Sequence, residues 1–240
     1  MKADKSIVVG MDFSPDCDRT LSVVERLAKA KDEGLTVVHA LDQSVADRLN
    51  RNDTTTRRNG ILSPSNSVKL ECVRRSHCDV LLVRENQKTE FRKIVACVDF
   101  SAGSEKAVER AHRMAKQDGA KLEILHVYPP IEKQIASRHY FIPILSEVVS
   151  ENDDIAEVKI RKELKTLTEK STDGSVECSN IILRQLDHKR AIIDYLNTSG
   201  VDLVVMGKRG RANMREMILG TTAERVVNHA QCSVLLVNPK

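Results

Sequence analysis

Three of the chain's ten glycines stand at fixed offsets in one short stretch, GKRGRANMREMILGTT. They are Gly207, Gly210 and Gly220, and Thr221 and Thr222 follow the last of them. A glycine lets the backbone take a left-handed turn or lets a ligand approach the main chain closely. The first N–H groups of a helix, at the positive end of its dipole, favour an anion. A threonine at such a start either caps the helix or bonds a phosphate oxygen. The nine residues between Gly210 and Gly220 make a loop that can arch over the anion, and Lys208, Arg209, Arg211 and Arg215 raise the potential around it. The chemistry implied is phosphate binding; the plainer alternative is that the glycines close turns and Thr221 caps a helix. The pattern is neither a Walker loop, which needs Lys-Ser/Thr after its second glycine, nor G-x-G-x-x-G.

The elements that would position this stretch alternate. Residues 94–98, IVACV, form a short apolar run suited to a strand buried on both faces. Ser101 or Ser104 can cap a helix carrying Ala107, Val108, Ala111, Met114 and Ala115 at helical spacing, and Gly119 ends it. LEILHV (122–127) is a second strand, and residues 129–150, with Pro129, Pro130 and Pro143, read as irregular. A helix is expected from about Asp154 to Glu169, with Ile155, Val158, Leu164 and Leu167 on one face. VECSNIILR (176–184) is a third strand, and a helix over 188–199 stops at Gly200. VDLVVM (201–206) is a fourth strand, directly before the glycine turn. A last helix from Thr222 to Ala230 leads to the strand SVLLV (233–237). Alternation of this kind predicts an α/β fold, an open parallel sheet with helices on both faces. Ligands in such sheets bind beyond the carboxyl ends of the strands, where Asp99 and Gly207 both fall.

The chain also repeats itself. SIVVGMDFS from Ser6 matches KIVACVDFS from Lys93, an offset of 87 that holds through LTVVHAL (35–41) against LEILHVY (122–128) and pairs His39 with His126. CDVLLV (78–83) matches CSVLLV (232–237) at an offset of 154, so the second copy carries 67 residues that the first lacks. Two units are expected, 1–90 shortened in its middle and 91–240 complete, with RENQKTEFR (84–92) as the joint. Counting back 154 from Gly220-Thr221 gives Asn66-Ser67, with no glycine pair before them. Asp12 survives in the first copy as a helix-capping candidate beside Ser14 and Pro15. The short copy leaves exposed strand edges; the second unit can cover one side, and a homodimer is expected to cover the rest.

Composition narrows the classes. Aromatic residues are 3% and Trp is absent, against a surface that stacks nucleic-acid bases, and a net charge of +4 does not demand a polyanionic partner. None of Cys17, Cys72, Cys78, Cys97, Cys178 and Cys232 forms a C-x-x-C pair, so buried thiols are expected rather than a metal site or redox pair. No 18-residue apolar run and no signal-peptide core is visible, and a cytoplasmic protein is expected.

The residues of the second copy resemble the universal stress protein family, in its adenine-nucleotide-binding type. The resemblance rests on G-x2-G-x9-G-[S/T] at Gly207, Gly210, Gly220 and Thr221, with VDFS, HV, DLVVMG and GTTAERV…CSVLLV around it, and is looser over 1–83. It implies a five-stranded sheet in the order 3-2-1-4-5 for residues 91–240 and a shortened version before them, the two paired within the chain through VLLV (80–83) and VLLV (234–237). It further implies ATP or ADP as ligand, any Mg²⁺ arriving with the nucleotide. Val98 and Asp99 would lie against the nucleoside, and Val127 at the adenine edge. Met206 and Gly207 would line the ribose–phosphate path, and Gly210, Gly220, Thr221 and Thr222 would hold phosphates. For Asp99, capping the next helix competes equally with ribose bonding; Val127 and Met206 double as core residues, and His39 and His126 read as structural.

The function implied is a stress-response regulatory or signalling protein that binds one nucleotide per chain and presents altered surfaces to a protein partner. No constellation for catalysis is visible, and slow ATP hydrolysis would be incidental. The alternatives are an ATP-using transferase, which would need a metal-binding carboxylate such as Glu216 or Glu224, and an interaction module without nucleotide.

Overall fold

Uniform apolar content, not alternation, marks the strands, and it sends them to the middle of the molecule. The computed structural model describes residues 7–11, 22–23, 35–39, 70, 73–74, 76, 79–84, 90–130, 145–210 and 219–238. Strands β1 (Ile7–Met11), β2 (Leu35–His39), β3 (Asp79–Leu82) and β4 (Lys93–Cys97) come first. Helix α1 (Ala102–Asp118), β5 (Lys121–Tyr128), α2 (Leu145–Ser171), β6 (Cys178–Arg184) and α3 (His188–Thr198) follow. Strand β7 (Leu203–Gly207), α4 (Thr221–His229) and β8 (Ser233–Val237) complete the order. Every residue of β8 is buried, as are four of five in β4 and β7, the signature of strands covered on both faces.

One eight-stranded sheet runs β2-β1-β3-β8-β7-β4-β5-β6. Within it, β6-β5-β4-β7-β8 is the order 3-2-1-4-5, all parallel. The sheet does not stop there: β8 continues, antiparallel, into β3. Two separate sheets would expose the apolar edges of β3 and β8; one sheet satisfies their backbone groups. The free edge of β8 is therefore taken, and a homodimer cannot use it.

The registers carry the repeat into three dimensions. Ile7 opposes Leu35 in β1/β2, and Ile94, 87 residues on, opposes Leu122 in β4/β5. Among the described residues of the first part, β3 lies directly beside β1, parallel to it. At the junction Leu81 faces Leu235, two residues separated by the repeat offset of 154, with Val80 against Leu236 and Leu82 against Val234. The seam is thus symmetric about that leucine pair.

Two cores flank the sheet. Ile94, Ala96, Leu122, Ile124, Leu203, Val205 and Leu235 pack beneath α1 and Leu164 of α2. Val95, Cys97, Leu125, Val204, Met206 and Val234 pack beneath α3 and α4. Both cores cross the seam, the first reaching Val23 and Leu81 and the second Leu70, Val73 and Val80. An ion pair from Arg110 of α1 to Asp79 of β3, 2.7 Å, is buried between them.

Helix α2 differs from expectation. It begins at Leu145, not near Asp154, and its apolar residues do not share a face. Ile155 and Val158 are each 66% exposed while Leu164 is fully buried. Nine residues are two and a half turns, so Ile155 and Leu164 lie on opposite sides. Residues 43–67, Asp12, Ser14, Pro15, Asn66 and Ser67 lie outside the described residues, as do Cys17, Cys72, Cys78 and the side chain of His39.

Candidate functional site

At the carboxyl end of β4 the chain turns sharply. Phe100 takes φ 60°, costly for an aromatic residue, and its ring packs 4.6 Å from that of His126. His126 Nδ1 lies 2.9 Å from the Val98 carbonyl, which gives this histidine a structural role. Of the two capping candidates, Ser101 is the N-cap of α1, accepting from the Ser104 N–H at 3.3 Å. Asp99 does not cap the helix itself. Its Oδ1 accepts from the Ser101 N–H at 3.1 Å, from Ser101 Oγ at 2.6 Å and from Ser104 Oγ.

The other carboxylate oxygen faces the glycine turn. A Cβ built on Gly210 would stand 2.7 Å from Asp99 Oδ2. A Cβ on Gly207 would stand 3.1 Å from the Arg209 carbonyl and 3.2 Å from Gly103, and one on Gly103 would stand 3.2 Å from that same carbonyl. Three segments of backbone thus meet with no room for side chains: the end of β4, the first turn of α1 and the turn after β7. Gly103 went unread in the sequence, although a glycine in a first helical turn, where its helix propensity is poor, was the signal for it.

The start of α4 closes the arrangement. Gly220, its N-cap, has φ −62° and ψ 141°, and no side chain caps the helix. The Gly220 N–H donates to the Lys208 carbonyl at 3.0 Å, and its own carbonyl accepts from Glu224 at 2.9 Å. The N–H groups of Thr221, Thr222 and Ala223 are left without intrahelical partners, as in any first turn. A Cβ on Gly220 would point at the Lys208 carbonyl, Arg209 Cα and the Gly210 N–H, at 3.4 to 3.7 Å, so a side chain there would fill the hollow between turn and helix. Arg209 Nε is buried with no hydrogen-bond partner among the described residues. Beside the hollow, Thr222 Oγ1 lies 3.3 Å from His188 Nε2, at the start of α3. Asp187 caps that helix, and the Arg190 N–H first, then the charge of Arg225 and the Lys189 N–H, hold its carboxyl below the usual range.

Asp99, Gly207, Gly210, Gly220, Thr221 and Thr222 are therefore gathered at one edge of the sheet. Val98, Met206 and Val127 contribute side chains to the cores instead. The N–H of Val98 donates to the Leu125 carbonyl and its carbonyl serves His126. Lys208 does not face the hollow: its side chain is buried and its Nζ donates to the carbonyls of Ser76 at 2.5 Å and Arg74 at 3.4 Å. Glu224 pairs with Arg74 at 3.1 Å. Arg211, Arg215 and Glu216 lie outside the described residues. At the end of β4, burial first and the neighbouring Cys232 second push the Cys97 thiol far up, and burial raises Cys232 to about 11, so neither supplies a thiolate nucleophile.

Fold and site define a doubly wound α/β protein with a glycine turn and an open helix start at the carboxyl edge of its sheet. Residues 90–238 match the universal stress protein family, and the chain belongs to it. Over 147 residues it is 28% identical to universal stress protein YxiE of Bacillus subtilis, across 61% of this chain and 99% of that one. It is 26% identical over 159 residues to universal stress protein MJ0577 of Methanocaldococcus jannaschii, across 62% and 96%. The solved structure of MJ0577 superposes with a TM-score of 0.52 at 23% identity, over 62% of this chain and 96% of that one. The crystal structure of a universal stress protein from Archaeoglobus fulgidus covers 99% of both chains, with a TM-score of 0.56 at 16% identity. None of the described helices is long and apolar enough to cross a membrane.

Proposed function

We propose that this chain is a regulatory universal stress protein of the cytoplasm that binds one adenine nucleotide, ATP or ADP, in a unit spanning residues 91–240. The unit over 1–90 is a shortened copy without a phosphate turn. The observation that carries the reading is the close approach of the glycine turn to the open start of α4: Gly220 packs against Lys208, Arg209 and Gly210, while Gly207 and Gly210 let the turn lie against Gly103 and Asp99. Its donors suit a phosphate: the helix-start N–H groups of Thr221, Thr222 and Ala223. Thr221 and Thr222 would bond phosphate oxygens, Asp99 Oδ2 is the carboxylate aimed at the turn, and any Mg²⁺ would arrive with the nucleotide. Bound nucleotide would alter the surface around residues 207–222 that a protein partner meets.

Mass spectrometry of the denatured protein and calorimetry with ATP test this. One equivalent of ATP or ADP per chain is the expected result, and two equivalent sites, or none, would count against it. The φ and ψ of Gly220 suit any residue, and a Cβ there makes only ordinary contacts, so Gly220→Val is expected to fold yet lose ATP binding. Thr221→Ala is expected to weaken binding by about 1–2 kcal/mol. Turnover below about one per minute is expected, against a typical enzymatic rate near 10 s⁻¹.

A further inference from the structure

The walls of the hollow are gripped from a distant part of the chain. Lys208 sits inside the glycine turn, and its backbone is fixed on both sides: its N–H donates to the Val237 carbonyl at 2.9 Å, and its carbonyl accepts from Gly220. Its side chain leaves the turn and delivers a buried ammonium to the carbonyls of Arg74 and Ser76. An ammonium so buried is tolerable only against such acceptors. From the same segment Arg74 reaches Glu224 of α4. Arg84 donates from Nη2 to the Val227 carbonyl at 3.0 Å and from Nε to the Cys232 carbonyl at 3.3 Å, holding the other end of α4. The helix whose first turn faces the hollow is thus held at both ends by residues that precede β4.

We propose that Arg74 and Ser76 set the geometry of the phosphate hollow through Lys208, a positioning residue, so that phosphate affinity is governed from the opposite half of the chain. The proposal rests on the nucleotide reading above for its ligand and on the contacts alone for its mechanics. A shift of the Arg74 and Ser76 carbonyls pulls Lys208, and the Lys208 carbonyl carries the Gly220 N–H and the start of α4 with it. The segment needs no contact with the nucleotide to act. A partner that displaced it would discharge the phosphate end while leaving the nucleoside contacts intact.

Lys208→Met in the full chain tests this with two readouts. In ligand-free protein, exchange of the Gly220 and Glu224 amides, held by the Lys208 and Gly220 carbonyls, is expected to quicken about tenfold while β4 and β5 keep their protection. ATP affinity is expected to fall at least tenfold and adenosine affinity to change less than twofold, since only the phosphate end is disturbed. Unchanged exchange overturns the proposal, including when ATP affinity falls, because Lys208 would then be touching phosphate directly. Faster exchange in a protein whose parent binds no ATP supports the tether and removes the nucleotide reading instead. Should Lys208→Met not fold, Lys208→Gln, which removes the charge and shortens the reach to the Ser76 and Arg74 carbonyls, takes its place. It is expected to quicken exchange over the same residues about threefold, and an unchanged rate there overturns the proposal equally.

Discussion

Gly210→Ala puts a methyl group where the structure has no place for one. Its carbon would lie 2.7 Å from Asp99 Oδ2, well inside the 3.4 Å at which ordinary contact begins. The φ of Gly210 is not in the left-handed region, so the cost is purely one of space. The carboxylate cannot simply swing aside, because its Oδ1 is held by the Ser101 N–H and by the hydroxyls of Ser101 and Ser104. Overpacking of this kind costs about 1–3 kcal/mol, and with Asp99 half-buried but Gly210 exposed the lower part of that range, about 1–1.5, is expected. The obstacle is a single side chain, so Asp99→Ala relieves it. Urea denaturation of Gly210→Ala, Asp99→Ala and the double variant forms a cycle, and the double is expected to be more stable than the sum of the singles by at least 1 kcal/mol. Additivity within about 0.3–0.5 kcal/mol would refute the claim that Gly210 is glycine because Asp99 stands against it.

The Arg110–Asp79 pair offers a second test, since both side chains are nearly buried. Asp79→Ala removes the carboxylate from the Arg110 guanidinium and from the Asn238 N–H and is expected to cost about 3–5 kcal/mol in urea melts, whereas joint replacement by Leu at 79 and Met at 110 is expected to recover part of it. The thiols give a pH dependence. Burial holds Cys97 and Cys232 neutral in the fold, Cys232 up to about 11 against an ordinary 9.0. Their stabilisation is complete below pH 9 and is lost as pH rises from 9 towards 11, because the unfolded chain releases protons that the fold retains. By pH 10 Cys232 alone accounts for about 1 kcal/mol. A variant carrying Cys97→Ala and Cys232→Ala is expected to lose less stability than the parent between pH 8 and pH 10, and an equal loss would contradict the assignment.

Much of the frame was legible because β4, β7 and β8 are covered on both sides and so appear as unbroken apolar runs. SVLLV is a strand at the residues its pattern picked out, and Gly119 and Gly200 end their helices with φ of 63° and 64°. The glycine spacing located the hollow for the same reason, since each glycine marks a backbone approach. What escaped depends on partners far away in the chain. Lys208 looks like one more cation in a basic loop until its acceptors, 132 and 134 residues earlier, are in view. Asp99 was open between capping and ribose bonding; the serines supply the cap, which the short spacing D-F-S-A-G-S leaves undecided on paper. The face of α2 was misjudged because an apolar residue at nearly helical spacing predicts burial only where another element covers that side.

The seam between β3 and β8 also fixes how the molecule responds to dilution. Strand pairing between separate subunits is a bimolecular equilibrium, strengthened by concentration and undone by its lack. Here Leu81 and Leu235 belong to one polypeptide, and their encounter costs only the closure of the loop between them. The effective concentration of one edge at the other is set by the chain, not by expression level. A cell making few copies would hold the same closed seam as a cell making many, and the supports of α4 that come from beyond it would stay in place at any abundance.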